Sequence, residues 1–245
     1  MHETIRGSIL YTSRKPDRMG HERGREQFTI IKHRDGRRSL QAHAEIDDAP
    51  NVLRLVTTSV DAAWNPTDAS VRLSVGDEFV GSSWYRFTDK LAECEGFTAR
   101  EGRISQRYTL DRPIGTLGAH PIQGDAWHLN RYDLSQGPGR QRLPLIMMTS
   151  LDHRGATGPM LLARDLTLNF VGPETVTVGA GTFEALHFKY GTNDDYDSED
   201  PSRHPPYHVW TTADGDYIFL KGQVAGYMKT YYELMSLERV ISPAK

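Results

Sequence analysis

The chain has 245 residues, 38% apolar and 25% charged side chains, and a net charge of −3, a balance that suits a globular protein with enough apolar material for one core. With a pI near 6.4 and no basic stripe it lacks the electrostatic footprint of a nucleic-acid binder. Cys94 is the single cysteine, which excludes an internal disulfide and a cysteine-built zinc site.

The one basic cluster, residues 14–25, is interrupted by Asp17 and Glu22 and reads as a solvated loop. No apolar run approaches the ~18 residues of a membrane span. The first residues, MHETIRGSILYTSRK, lack the apolar core and cleavage site of a signal peptide, so a cytoplasmic location is the expectation.

In chain order, strands are expected at 5–11, 27–33, 39–46, 52–60, 71–75, 81–88, 91–100 and 102–110. Asp35-Gly36 and Gly76-Asp77 supply turns between them, because glycine accepts a positive φ without steric cost. Val71, Leu73 and Val75 alternate with Arg72 and Ser74, the period of a half-buried strand. Residues 111–160 are rich in glycine and proline and read as an irregular cover segment, with a short helix at 125–134. Strands resume at 161–170, 174–178, 183–190, 207–211, 217–221 and 230–240, with Asp214-Gly215 as a tight turn. Between them lies an acidic stretch, 191–206, read either as a solvated loop or as a lid over a cavity mouth. Segments 71–87 and 175–190 share an alternating strand, a glycine turn and paired aromatics; a duplicated unit is one reading of this echo, and the generic look of hairpins is the other. The pattern predicts an all-β single domain over 1–245: an antiparallel β-barrel or strongly curved half-barrel with an apolar cavity.

The segments ETVTVGAGTFEALHFKY and YHVWTTADGDYIFLKGQV resemble bacterial families of curved antiparallel sheet: the domain of unknown function 3108 type and, more distantly, the lipoprotein-carrier (LolA/LolB-like) and glycolipid-binding barrels. SVDAAWNPTDASVRL is faintly similar to the glycolipid-binding type. The shared motifs are structural. The resemblance implies a barrel or half-barrel with an apolar cavity for a lipid-like ligand, and carries no catalytic residue across.

Several chemistries have no motif here. There is no phosphate-binding glycine loop, no Gly-x-Ser-x-Gly elbow and no His-Glu-x-x-His. His204 and His208 are four apart, but Pro205-Pro206 forbids the helix that would align them. The alternating acids Asp195, Asp197 and Glu199 lack the glycine and glutamate of a calcium loop, with Ser198 and His204 at those positions. Imidazoles and carboxylates do gather in the irregular segments. His120, Asp125 and His128 form one group, Asp152, His153 and Arg154 a second, and His204, Tyr207 and His208 a third. Histidine changes charge near neutral pH, a carboxylate partner orients it, and an arginine can hold a developing negative charge. Trp127 and Trp210 stand beside these loops as candidate walls for a flat or apolar substrate. His187, on a strand face with Ala185 and Lys189, reads as structural.

Two functions follow as expectations. The first is a cofactor-independent acid–base enzyme of lyase, isomerase or hydrolase type acting on a hydrophobic small molecule. The second is a non-catalytic binder of a lipid or similar ligand. No cofactor is expected; a transition metal held by several imidazoles is the competing thought. The expected partner is a small hydrophobic molecule, with no nucleic acid and no membrane span.

Overall fold

The computed structural model describes residues 2–191 and 204–242. The calcium-like and lid readings of the acidic stretch therefore fall outside the described residues, apart from Gly191 and His204 to Pro206. Eight strands occupy the first half: β1 (Glu3–Ser13), β2 (Glu22–Lys32), β3 (Arg38–Ile46), β4 (Val52–Val60), β5 (Pro66–Val75), β6 (Glu78–Phe87), β7 (Leu91–Thr98) and β8 (Gly102–Thr109). Then come β9 (Thr116–Gly118), helix α1 (Ile122–His128) and β10 (Gly139–Met148). The chain ends with β11 (Leu162–Val178), β12 (Gly181–Tyr190), β13 (Tyr207–Thr212), β14 (Phe219–Val224) and β15 (Thr230–Ile241).

Among the described residues the fifteen strands form one sheet, in the order β8-β7-β6-β5-β4-β3-β2-β1-β15-β14-β13-β12-β11-β10-β9. Each strand except β8 neighbours its successor in the chain, and the first strand pairs with the last, Glu3 opposite Ile241 through Ser13 opposite Thr230. The ring is thus joined at the termini and open in mid-chain, between β8 and β9. Every pairing is antiparallel except β9 with β10. Bulges at Ser8/Ile9, Leu73/Ser74 and Trp210/Thr211 raise the local twist that coils the sheet.

The open seam is bridged by side chains. Gln106 on β8 donates from Nε2 to the Leu161 carbonyl (3.0 Å) and accepts from the Leu161 N–H (2.8 Å), so its amide stands in for a strand partner. Tyr108 donates to the same carbonyl, and Ser83 donates to the Pro159 carbonyl. Arg54 on β4 reaches furthest. It donates to the Ala119 carbonyl (3.1 Å), to Thr149 Oγ1 (3.3 Å) and to the Gly155 carbonyl. Gly155 has φ +67°, and a Cβ there would lie 2.6 Å from Arg54 Nη2, so only glycine lets the guanidinium lie against this loop.

The irregular reading of 111–160 is corrected in two respects. Residues 139–148 form β10, a ten-residue strand paired with β11; Gly137-Pro138-Gly139 and the Arg-Gln-Arg run hide its alternation. The helix begins at Ile122 rather than Asp125 and lies inside the barrel instead of covering its end: Ala126 and Leu129 are fully buried, and Trp127 packs edge-on against Trp64 at 5.5 Å. One core surrounds α1 between β1–β3 and β10–β15, and a second fills the space between β4–β8 and the 110–119 segment. Among the described residues no helix is long and apolar enough to cross a membrane.

Candidate functional site

A buried glutamate hangs the helix in place. Alternation on β2 turns Gly24, Glu26, Phe28 and Ile30 inward. Glu26 accepts from the backbone N–H of Ile122 (2.6 Å) and of Gln123 (3.0 Å), the first donors of α1, and from the Tyr11 hydroxyl (3.0 Å). A carboxylate there satisfies helix donors that would otherwise be orphaned in the core. The Gln123 side chain completes the mooring by donating to the Tyr217 carbonyl and accepting from the Phe219 N–H.

So fixed, α1 turns Asp125 and His128 toward a cavity of about 350 Å³. Asp125 Oδ1 lies 3.9 Å from His128 Nε2, and His128 Nδ1 is 2.6 Å from Thr116 Oγ1. Tyr190 and Tyr207, stacked at 5.4 Å, face the same space with Tyr11 and Tyr232. Tyr190 donates to the Asp125 carbonyl, and the buried Tyr207 hydroxyl faces the Asp125 carboxyl, without a hydrogen bond of full geometry among the described residues. The apolar part of the wall carries Ile122, Ile146, Met148, Leu166 and Val224. This size and mixture, apolar with a few converging polar groups, suits a small organic ligand.

The electrostatics follow from burial. The Asp125 carboxyl is pushed up to about 8, first by desolvation and then by the charge of Glu26, with Tyr207 opposing. Glu26 is raised to about 7 by desolvation, against the pull of its two helix N–H donors and Tyr11. Burial lowers His128 and His204 to about 4, and lowers His120 to about 3 with help from the charge of Arg54. Near neutral pH the site therefore holds a protonated acid beside neutral imidazoles. That is the arrangement in which one carboxyl can donate a proton and a ring nitrogen can accept one.

The other imidazoles are tied down. His120 Nε2 sits 3.1 Å from the Ser150 carbonyl and must carry the proton there, since a carbonyl only accepts. His204 Nδ1 donates to the Pro205 carbonyl at 2.7 Å, His153 Nδ1 pairs with the Tyr227 hydroxyl, and the His153 and His204 rings meet at 4.8 Å. Asp152 accepts from the backbone N–H of Arg154 and Ala156, and Arg154 donates to the carbonyls of Asp48 and Pro50. Among the described residues no three of His, Cys, Asp and Glu converge as a metal ion would need.

Eight of the nine residues singled out as catalytic candidates therefore line one cavity: His120, Asp125, His128, Asp152, His153, Arg154, His204 and Tyr207. Three expectations are corrected. His208 is next to Tyr207 on β13, and neighbours on a strand point to opposite faces, so it lies on the far side of the sheet. There its Nδ1 meets His187 Nε2 at 2.8 Å. Trp210 shares that face, stacked on His187 at 3.9 Å with its indole donating to Glu174. Trp127 is on α1 but turns away from the cavity, toward Trp64.

The sequence reading overlooked Tyr11, Glu26, Arg54, Tyr190 and Tyr232. For two of them a signal was present. Glu26 shares strand parity with Phe28 and Ile30, and Arg54 with Val52 and Val56, so each is a charge on a face that is otherwise apolar.

Fold and site together define a class: an open-seamed antiparallel barrel with an internal helix and a ligand-sized cavity. A beta-barrel-like protein of the domain of unknown function DUF1849 from Brucella abortus has a similar structure, with TM-score 0.57 and 13% identity over 98% of each chain. A Bacteroides fragilis protein described as exported, with a YmcC-like fold, matches more loosely: TM-score 0.31 and 12% identity, covering 97% of this chain and 95% of that one. No family model matches the chain. No curated protein matches it either. The expected kinship with curved β-barrel proteins of unknown function holds at the level of fold.

Proposed function

We propose that the chain binds a small, largely apolar molecule in the cavity and moves a proton on it without a cofactor, as a lyase, isomerase or hydrolase does. One observation carries the reading: the Asp125 carboxyl, which burial keeps protonated near neutral pH, the neutral His128 imidazole and the buried Tyr207 hydroxyl stand together on the wall of one cavity. Asp125 serves as the acid, His128 as the base, and Tyr207 holds charge that develops on the substrate. Asp125 and His128 are three residues apart on a helix moored at its first turn, so their separation is set before any ligand arrives.

A second reading, binding without turnover, is favoured by the internal partners of His120, His153 and His204. The resemblance of the two β-hairpin segments to the 3108 and lipoprotein-carrier types supports an apolar ligand under either reading. Incubation of the protein with a mixed small-molecule extract, followed by mass analysis of bound and free species, separates the two. If proton transfer is the function, a compound held by both wild type and Asp125→Asn is consumed only by wild type. If every retained compound is recovered unchanged from wild type, the protein is a carrier. If neither protein retains anything, the cavity reading itself fails.

A further inference from the structure

The charges on the cavity wall do not balance. Among the described residues four guanidiniums line it: Arg23, Arg54, Arg154 and Arg164. Arg23 is paired with Asp48. Among the described residues none of the other three makes an ion pair. Arg54, 2% exposed, donates only to neutral acceptors: two carbonyls and a threonine hydroxyl. Arg154 donates from Nη2 to two carbonyls, and its buried Nε has no partner. Arg164 has a single marginal hydrogen bond, to the Ala163 carbonyl at 3.5 Å.

The carboxylates on the same wall do not answer this excess. Asp165 pairs with Arg142. Asp152 spends an oxygen on two backbone N–H groups and makes no ion pair with Arg54, although its field reaches that side chain. Asp125 keeps its proton near neutral pH. The neighbouring imidazoles His120 and His204 are neutral there as well. Among the described residues, the wall of this cavity thus carries more guanidiniums than carboxylates paired to them. Arg54 is buried and Arg154 half-buried, whereas Arg164 is exposed at the mouth. Buried or half-buried cations are normally paired, because a lone charge in a weakly polarisable setting is costly. A ligand that brings a negative charge would supply such a partner.

Building on the cavity reading above, we propose that the ligand is an apolar-tailed organic anion. Its tail lies along Tyr11, Ile122, Tyr207, Val224 and Tyr232, and its carboxylate or phosphate head turns toward Arg154 and Arg164. Arg54, locked in the seam, contributes a fixed positive field behind the head rather than a direct contact. Arginine suits both heads, since its planar fork can offer two donors to two oxygens.

Calorimetric titration of the full chain with decanoate, decyl phosphate, decan-1-ol and decyltrimethylammonium tests this. At least one of the anions should bind about tenfold more tightly than the alcohol, the gain expected of a charge-assisted hydrogen bond, and the cation should bind most weakly. Whichever anion binds more tightly identifies the head. Arg154→Gln combined with Arg164→Gln should erase that advantage and leave the alcohol's affinity unchanged. Arg164→Gln alone, a change on an exposed side chain, should remove part of the advantage and serves if the double variant does not fold. Alcohol binding as tight as that of both anions, or equal weakening of alcohol and anion in the variants, overturns the inference while leaving the cavity reading intact. If none of the four compounds binds, both fall together.

Discussion

Replacing Asp125 by Asn tests the electrostatic account of the site through stability, with no ligand needed. The Asp125 carboxyl holds its proton to about pH 8 in the folded protein, against an ordinary value of 3.8. A raised carboxyl of this kind contributes stability that is full below the ordinary value and is lost as pH rises through the folded one. Between pH 6.5 and 8 the folded state holds almost a whole proton that the unfolded chain lacks, and the slope is about 1.4 kcal/mol per pH unit. Allowing for half-titration at pH 8, Asp125 accounts for a loss of about 1.5 kcal/mol over that window. Glu26, raised from 4.5 to about 7, has the same sign and adds less than about 1 kcal/mol there. The buried imidazoles have the opposite sign: His120, His128 and His204 are depressed to between about 3 and 4, so their contribution is present above 6.5 and lost as pH falls. Because unfolded imidazole is still half-protonated at pH 6.5, each gains about 0.4 kcal/mol up to pH 8, and together the three offset about 1 kcal/mol of the loss. Urea unfolding at pH 6.5 and pH 8 should show wild type losing about 1 kcal/mol and Asp125→Asn losing none. A wild-type stability that is flat or rising across the window refutes the reasoning, as does an equal loss in the variant.

Three further outcomes follow from the geometry. Glu26→Ala removes the acceptor of two helix N–H groups and of the Tyr11 hydroxyl, so denaturant unfolding should show a loss of about 3 kcal/mol, while Glu26→Gln, which keeps one acceptor oxygen, should lose less. Arg54→Met cuts the three hydrogen bonds from β4 to Ala119, Thr149 and Gly155, so amide exchange should accelerate in 119–121 and 149–160 and stay unchanged in β1–β3; uniform acceleration would count against the seam account. His208→Ala and Trp210→Phe alter the face away from the cavity, so calorimetry with decanoate or decyl phosphate should give wild-type affinity for both variants.

Much of the barrel was legible because antiparallel strands announce themselves locally. The predicted strand at 52–60 coincides with β4, and the predicted run at 230–240 differs from β15 by a single residue at its end. Where the local code was masked the reading failed. β10 carries Gly139, Pro144 and alternating arginines, and β9 is three residues long and pairs in parallel, so neither shows the period-2 signal. The candidate site was legible as composition: ionisable side chains concentrated between the strands, eight of which do line one cavity. Its limits were errors of parity and of side. Tyr207 and His208 are adjacent, and only the packed barrel says which of the two faces inward.

The amino-acid order alone set the strand pattern, the turns and the parity of each side chain, because these depend on neighbours a few residues away. It could not choose among distant partners. The pairing of β1 with β15, the mooring of α1 on Glu26, and the reach of Arg54 to Gly155 join residues separated by roughly one hundred positions or more. Such contacts are selected by the packing of the whole sheet around one interior, and it is there that Asp125 came to share a buried space with Glu26 and four tyrosines.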